Sequence, residues 1–265
     1  MITTARLHEV RKVCDAERAN GASVGFVPTM GALHEGHRSL VRRARAETTF
    51  VVVSIFVNPA QFGPHEDLSA YPRTLDDDLR LCDAEGVDLV FHPDPDEMYP
   101  ESSETAVRLS GLTETLEGAH RPGHFDGVAL VCTKLFNVVG PCNAYFGQKD
   151  AQQLHVITRL VKDLNLPVEV RPCETIRDAD GLALSSRNVY LSAEDRARAL
   201  ALPRALRALA DGTTLDVGRA MLADVEVDYF EIVDSSTFRP SEHGDLAVGA
   251  IRVGTTRLID NVRLR

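Results

Sequence analysis

The stretch Val24 to Leu40, VGFVPTMGALHEGHRSL, constrains the fold more than any other. Val24 to Val27 is an apolar strand pattern. Pro28, Gly31 and Gly36 interrupt it, and Leu40, Val41 and Ala44 then recur at helical spacing. A strand that enters a helix through a glycine-bearing loop delivers unpaired backbone N–H groups to one point, which favours an anion and most often a phosphate. His34 and His37 lie three residues apart at that junction, so both can face one ligand. Gly36 between them permits close backbone approach. Taken alone, the His-x-Gly-His tetrad is equally readable as two histidines capping a helix start.

The neighbouring segments supply the rest of an α/β sheet. Residues 4 to 19 read as a helix with Leu7, Val10, Val13 and Cys14 inside, ended by Asn20-Gly21. Phe50 to Val57, FVVVSIFV, is the nearly continuous apolar run of a parallel strand buried on both faces. Strand, helix and strand in that order imply a right-handed crossover and a Rossmann-like parallel sheet. Ligands of such sheets bind beyond the carboxyl ends of the strands, where the histidine loop and Asn58 fall. After a polar loop over 58–72, a helix is expected from Thr74, with Thr74 and Asp77 as a capping box and Asp76, Asp77 and Asp78 favoured by the helix dipole. A magnesium role for Asp77 and Asp78 is the competing reading.

Val87 to Phe91 is the next strand, and residues 93–126 read as irregular. Within them Arg121 and His124 stand between glycines, as a substrate clamp or as a solvated turn. An apolar helix is expected over Val128 to Val139 and a strand over Asn143 to Phe146. Gly147-Gln148-Lys149-Asp150 then opens a helix that carries Gln153 one turn on, and Val168 to Val170 is a further strand. Beyond the Asp178–Gly181 turn come Leu184-Ser185-Ser186-Arg187, a long helix from Ser192 to about Ala210, a helix over 216–224 and strands over 225–233, 247–253 and 256–262. The expected architecture is therefore a Rossmann-like α/β N-terminal domain, residues 1–176, and a smaller α+β C-terminal domain, residues 177–265.

A net charge of −10 on 265 residues argues against nucleic acid or an anionic membrane as the main partner. No apolar run reaches the ~18 residues of a membrane span. Five widely spaced cysteines form no disulfide framework or zinc site, so reduced thiols in a cytoplasmic protein are expected. Arginine outnumbers lysine 25 to 4, which singles out each lysine.

His-x-Gly-His resembles the signature of the nucleotidylyltransferase superfamily. PTMGALHEGH, SIFVNPAQF with the YPRT that follows, RPGHFDGV, FGQKDAQQ and DADGLALSSRN come in the order of the pantoate–β-alanine ligase family, and the resemblance covers nearly the whole chain. Leu184 departs from it, since methionine usually precedes Ser-Ser-Arg there.

The resemblance implies a ligase that joins D-pantoate to β-alanine through a pantoyl adenylate, using ATP with Mg2+. The C-terminal domain would be a lid, and a homodimer is the family's habit. His34, His37, Lys149, Ser185, Ser186 and Arg187 would be catalytic. Pro28, Thr29, Met30, Gly31, Gly36, Gly147, Gln148, Asp150, Ile176 and Leu184 would join them in holding ATP. Gln61 and Gln153 would bind pantoate, with Asn58, Arg121 and His124 beside the substrates. Two other readings remain: a nucleotidylyltransferase that releases its nucleotide-linked product, and a nucleotide sensor without turnover. The joint presence of His37, Lys149 and the Ser-Ser-Arg loop weighs against the sensor.

Overall fold

A computed structural model describes residues 1–64, 66–100 and 104–264. Their helices and strands, in chain order, are β1 (Ile2–Thr4), α1 (Leu7–Ala19), β2 (Val24–Thr29), α2 (Glu35–Glu47), β3 (Phe50–Ile55), α3 (Leu75–Ala84), β4 (Leu89–Phe91), α4 (Pro95–Met98), α5 (Glu117–His120), α6 (His124–Val139), β5 (Cys142–Gly147), α7 (Ala151–Asp163) and β6 (Val168–Cys173). Then follow α8 (Ala193–Ala199), α9 (Ala201–Ala210), α10 (Leu215–Ala220), β7 (Glu226–Asp234), β8 (Arg239–Pro240), β9 (Leu246–Val253) and β10 (Thr256–Arg263). The chain divides into two compact units. The first holds residues 1–109, 121–147 and 153–173, and the second holds 110–120, 148–152 and 174–265.

In the first unit six parallel strands run in the order β1-β4-β3-β2-β5-β6. Successive side chains of β3 serve opposite faces. Phe50 and Val52 join Val10 and Cys14 of α1 and Val128, Leu135 and Phe136 of α6 in one core cluster. Val51 and Val53 join Leu40, Val41 and Ala44 of α2 and Cys82 of α3 in another. Both faces of β3 are thus covered, which is why its sequence, FVVVSI, is almost continuously apolar. In the second unit the antiparallel sheet β10-β9-β7-β8 packs Ala247, Ile251 and Val253 against Leu202, Leu206 and Leu209 of α9.

Several boundaries differ from expectation for local reasons. The first helix starts at Leu7, because β-branched Ile2-Thr3-Thr4 pairs in parallel with β4. The apolar helix starts one turn early, at His124, after Gly123 at φ 82°. The helix expected from Ser192 to Ala210 is two. Pro203 has no N–H to donate and its ring clashes with the carbonyl of residue 199, where α8 stops. Pro203 is then tolerated in the first turn of α9. The irregular stretch 93–126 contains α4 and α5, while its residues 101–103 lie outside the described residues. Gly147–Asp150 ends β5 and forms a turn ahead of α7. No described helix is long and apolar enough to cross a membrane.

Candidate active site

β2 lies between β3 and β5, where the strand order reverses direction. It pairs with β3 as far as Thr29, but with β5 only through Gly25 and Phe26. Pro28 has no N–H with which to extend the second pairing. β2 and β5 separate there, the crevice in which open α/β sheets take ligands. Thr29 Oγ1 donates to the Ser54 carbonyl at 2.8 Å and accepts from Gly31 N at 3.2 Å, which starts the turn. Gly31 and Ala32 both have positive φ, 80° and 49°. The conformation of Ala32, uncommon for a residue with a side chain, is held from outside. Asp78 of α3 accepts from Ala32 N at 3.0 Å and from Leu33 N at 2.8 Å. Burial pushes the Asp78 carboxyl above its ordinary range, against the pull of these N–H bonds.

His34 and His37 follow at the start of α2. His34 Nδ1 accepts from Gly36 N at 3.1 Å, and His37 Nδ1 accepts from His34 N at 3.3 Å. With both Nδ1 atoms accepting, each neutral ring carries its proton on Nε2. The rings lie 4.2 Å apart between centroids. Two Nε2–H donors thus accompany the positive end of a 13-residue helix.

Gln61 is built into the same unit. Asn58 donates one N–H to Gln61 Oε1 at 3.0 Å and one to the Gly127 carbonyl at 3.2 Å. Its own oxygen accepts from Tyr99 Oη at 2.8 Å and Ala60 N at 3.2 Å. The full hydrogen-bonding capacity of the Asn58 amide is therefore used within the protein. Gln61 Nε2 donates to Met30 Sδ at 3.1 Å, linking the glutamine to the histidine loop. From the other side, His124 Nδ1 donates to the Gln61 carbonyl at 2.8 Å while its Nε2 accepts from Arg121 Nη1 at 3.0 Å. Arg121 forms a two-pronged pair with Glu66, both contacts 2.7 Å. Burial opposes ionisation of Glu66, but Arg121 outweighs it and holds the carboxyl below the usual range. A Cβ on Gly127 would overlap the Ala60 carbonyl, so α6 can approach the Pro59–Gln61 turn this closely only at glycine.

The second unit carries the other residues singled out. Lys149 is mostly buried, with Nζ 3.8 Å from Asp150 Oδ2. The carbonyls of Gln148 and Lys149 each accept from Asn261 Nδ2 at 2.9 Å. Ile176 and Leu184 face each other across a short hairpin, with Leu184 N donating to the Ile176 carbonyl at 2.9 Å. Ser185 caps the 3-10 turn Ser186–Tyr190 by accepting from Arg187 N at 3.3 Å.

Residues 2–263 match the family model described as pantoate-beta-alanine ligase. A pantothenate synthetase from Acidothermus cellulolyticus is 51% identical, over 99% of this chain and 93% of its own. The structure of pantothenate synthetase from Thermus thermophilus superposes with a TM-score of 0.94 at 48% identity, covering 99% of each chain. That of pantoate-beta-alanine ligase from Francisella tularensis, complexed with beta-gamma ATP and beta-alanine, does so at 0.86 and 32% identity over 99% of this chain and 97% of that one. The chain belongs to the pantoate–β-alanine ligase family. It is a ligase with that family's parallel six-stranded sheet and smaller antiparallel unit.

In this ligase, His34, His37, Met30, Gly31, Gly36 and Gln61 fall together with Asn58, Arg121 and His124 in the first unit, along with Gln153 on α7. Lys149, Gln148, Asp150, Ile176, Leu184 and Ser185–Arg187 fall in the second. Asp77 and Asp78 diverge. Asp77 is exposed and pairs with Arg80, whereas Asp78 is 2% exposed and turned to backbone N–H groups. Among the described residues no three His, Cys, Asp or Glu side chains converge as a metal site. The expected capping box at Thr74 does not form; Thr74 Oγ1 instead donates to Asp78 Oδ1 at 3.3 Å. Sequence reasoning missed the loop brace made by Asp78, the Tyr99 bond to Asn58 and the Asn261 clamp. Each joins positions tens of residues apart, and no local pattern marks such a pairing.

Proposed function

We propose that the chain condenses D-pantoate with β-alanine through a pantoyl adenylate. A pantoate carboxylate oxygen attacks the α-phosphorus of ATP, the bond to the α–β bridging oxygen breaks, and pyrophosphate leaves. The amine of β-alanine then attacks the acyl carbon, loses a proton, and AMP leaves with the former carboxylate oxygen. Magnesium would enter as MgATP, held mainly by the phosphates.

The observation that carries this reading is the pair His34 and His37, both set as Nε2 donors by backbone bonds at a helix start. Donors fixed in advance stabilise phosphate oxygens that gain charge in the transition state. Lys149, Ser186 and Arg187 supply further positive charge and donors to the phosphates, and Ser185 orders their loop. Backbone from Pro28 to Gly31 and from Gly147 to Asp150, with Ile176 and Leu184, holds the nucleotide. Gln61, fixed from three sides yet with one N–H and one lone pair unspent in the described contacts, suits a hydroxy acid that both donates and accepts. Gln153 is its counterpart on α7. Arg121 and His124 act by shaping the Gln61 turn, and Asn58 by orienting the Gln61 amide. A cytoplasmic homodimer belongs to the same reading, and sedimentation equilibrium at twice the chain mass would support it.

The test is purified protein with D-pantoate and MgATP. Without β-alanine it should exchange pyrophosphate into ATP; with β-alanine it should release AMP. Exchange that requires β-alanine would overturn the stepwise scheme, and pyrophosphate release without AMP would favour a transferase.

A further inference from the structure

We infer that Asn261 is a positioning residue for Lys149, a role that rests on the proposed action of Lys149 at the phosphates. Lys149 stands in a turn, two residues before α7, where no helix ladder yet orders the backbone. The turn is ordered instead by the side chain of Asn261. The Asn261 amide nitrogen has two hydrogens, and it gives one to the Gln148 carbonyl and one to the Lys149 carbonyl, both at 2.9 Å. Bonds to these two carbonyls fix the peptide planes on either side of the Lys149 Cα, and with them the direction in which the Lys149 side chain leaves the chain.

Asn261 is in turn held at both ends of its own backbone. Its N–H donates to Asp260 Oδ1 at 2.8 Å, and its carbonyl accepts from Arg177 Nη2 at 3.4 Å. Arg177 and Asp260 form a two-pronged ion pair at 2.7 and 2.9 Å, with Asp260 nearly buried. Arg177 Nη1 also donates to the Gly181 carbonyl at 3.1 Å, and Arg177 pairs with Ala183 in the hairpin that leads into Ser185–Arg187. One ion pair therefore braces two things at once: the hairpin beneath the Ser-Ser-Arg loop and, through Asn261, the turn beneath Lys149. The arrangement keeps the lysine and the serine–arginine loop in mutual register within the second unit.

Displacing a reacting group by about 1 Å can cost on the order of 10²-fold in rate. Asn261→Ala removes both bonds. Asn261→Asp keeps the volume but offers neither carbonyl a hydrogen when ionised, and it serves as the second variant if the first does not fold. Pyrophosphate–ATP exchange, KM for pantoate and melting curves are measured for each, in the wild-type and the Lys149→Ala backgrounds.

In the wild-type background either variant should lower kcat by roughly 30- to 100-fold with KM for pantoate changed less than about threefold. In the Lys149→Ala background the same changes should cost less than about threefold, because the side chain they position is already gone. Equal losses in both backgrounds would show that Asn261 serves the fold alone and would overturn the inference. So would near-normal exchange in both Asn261 variants. If wild-type protein shows no exchange, the proposed reaction fails; if it does exchange but Lys149→Ala is indifferent, the role of Lys149 and the inference fail together.

Discussion

Replacing Asp78 by alanine should damage catalysis more than stability. The wild-type carboxylate makes two charge-assisted bonds, to Ala32 N and Leu33 N, and takes a weaker one from Thr74. At about 1.5–3 kcal/mol for a bond to a charged group, the two N–H bonds sum to roughly 3–6 kcal/mol. That sum overstates the loss. Burial raises the Asp78 pKa despite these bonds, so the ionised group recovers less from its partners than it gives up in leaving water. The expected cost is nearer the desolvation of the donors left behind, about 1–3 kcal/mol. For a chain of this size that lowers Tm by roughly 2–4 °C per kcal/mol. The functional cost follows a different route. Without Asp78 nothing in the described contacts holds Ala32 at φ 49°, and the Gly31–Leu33 backbone that leads into His34 relaxes. A displacement of the histidines by about 1 Å should lower kcat by about 10²-fold.

The pH dependence gives an independent check. A carboxyl whose pKa is higher folded than unfolded binds its proton more tightly in the folded state. Its contribution to stability is then largest below the unfolded value of about 3.9 and declines as pH rises through the folded value. The stability difference between wild type and Asp78→Ala, measured in urea, should therefore be larger at pH 3.5 than at pH 7. A difference that grows toward neutral pH would mean that the carboxylate is net stabilising and the accounting is wrong. A variant that melts 10 °C lower yet keeps kcat within about threefold would show Asp78 to be an anchor for α3 with no bearing on the loop.

Other side chains give narrower tests. His37→Ala should cut kcat by roughly 10²–10³ through loss of one preorganised donor, with ATP affinity changed less; near-normal turnover would move that role to His34. Gln61→Ala and Gln153→Ala should each raise KM for pantoate above any effect on ATP, by a factor equivalent to about 1–3 kcal/mol, and equal effects on both substrates would make them fold residues. Lys149→Arg should lose at least roughly 10² in kcat/KM with Tm little changed, because a wide guanidinium cannot replace a compact ammonium; retention of half the activity would show that charge alone suffices. Burial pushes the Cys14 thiol up to about 11 and those of Cys82, Cys132 and Cys142 to about 12, and Cys173 is raised as well. Few are thiolates at pH 8, so Ellman's reagent should titrate the five only after denaturation, and rapid reaction of the native protein would contradict their burial.

What was legible in the chain follows from the range over which each signal acts. Val51, Val52 and Val53 are apolar because both faces of their strand are covered, and that condition is written into adjacent residues. Leu40, Val41 and Ala44 mark the buried side of α2 by spacing alone. The break between α8 and α9 was equally local and could have been taken from Pro203. Asp78 was different. Its neighbours Asp76 and Asp77 are acidic residues of one helix start, and nothing nearby distinguishes the one that turns inward to Ala32 and Leu33.

The polar residues near the proposed site raise the same difficulty in another form. Asn58 and Gln61 are both amides in one short loop after β3, and both were read as substrate contacts. The structure separates them by counting bonds. Asn58 meets Tyr99, Ala60, Gln61 and Gly127 and has no capacity left, so it acts by holding its neighbour. Gln61 has two bonds on its amide and can make more. The histidines are sorted in the same way, since Nδ1 of each accepts from the backbone and the proton is thereby set on Nε2. Residue type therefore locates the neighbourhood of a site, and the commitments of its donors and acceptors decide which members of it can meet a substrate. Asn261 follows as the limiting case. It lies on a strand of the second unit, and both its amide hydrogens go to the two carbonyls beneath Lys149. A side chain with no donor to spare cannot bind a ligand through it, but it can decide where a lysine points.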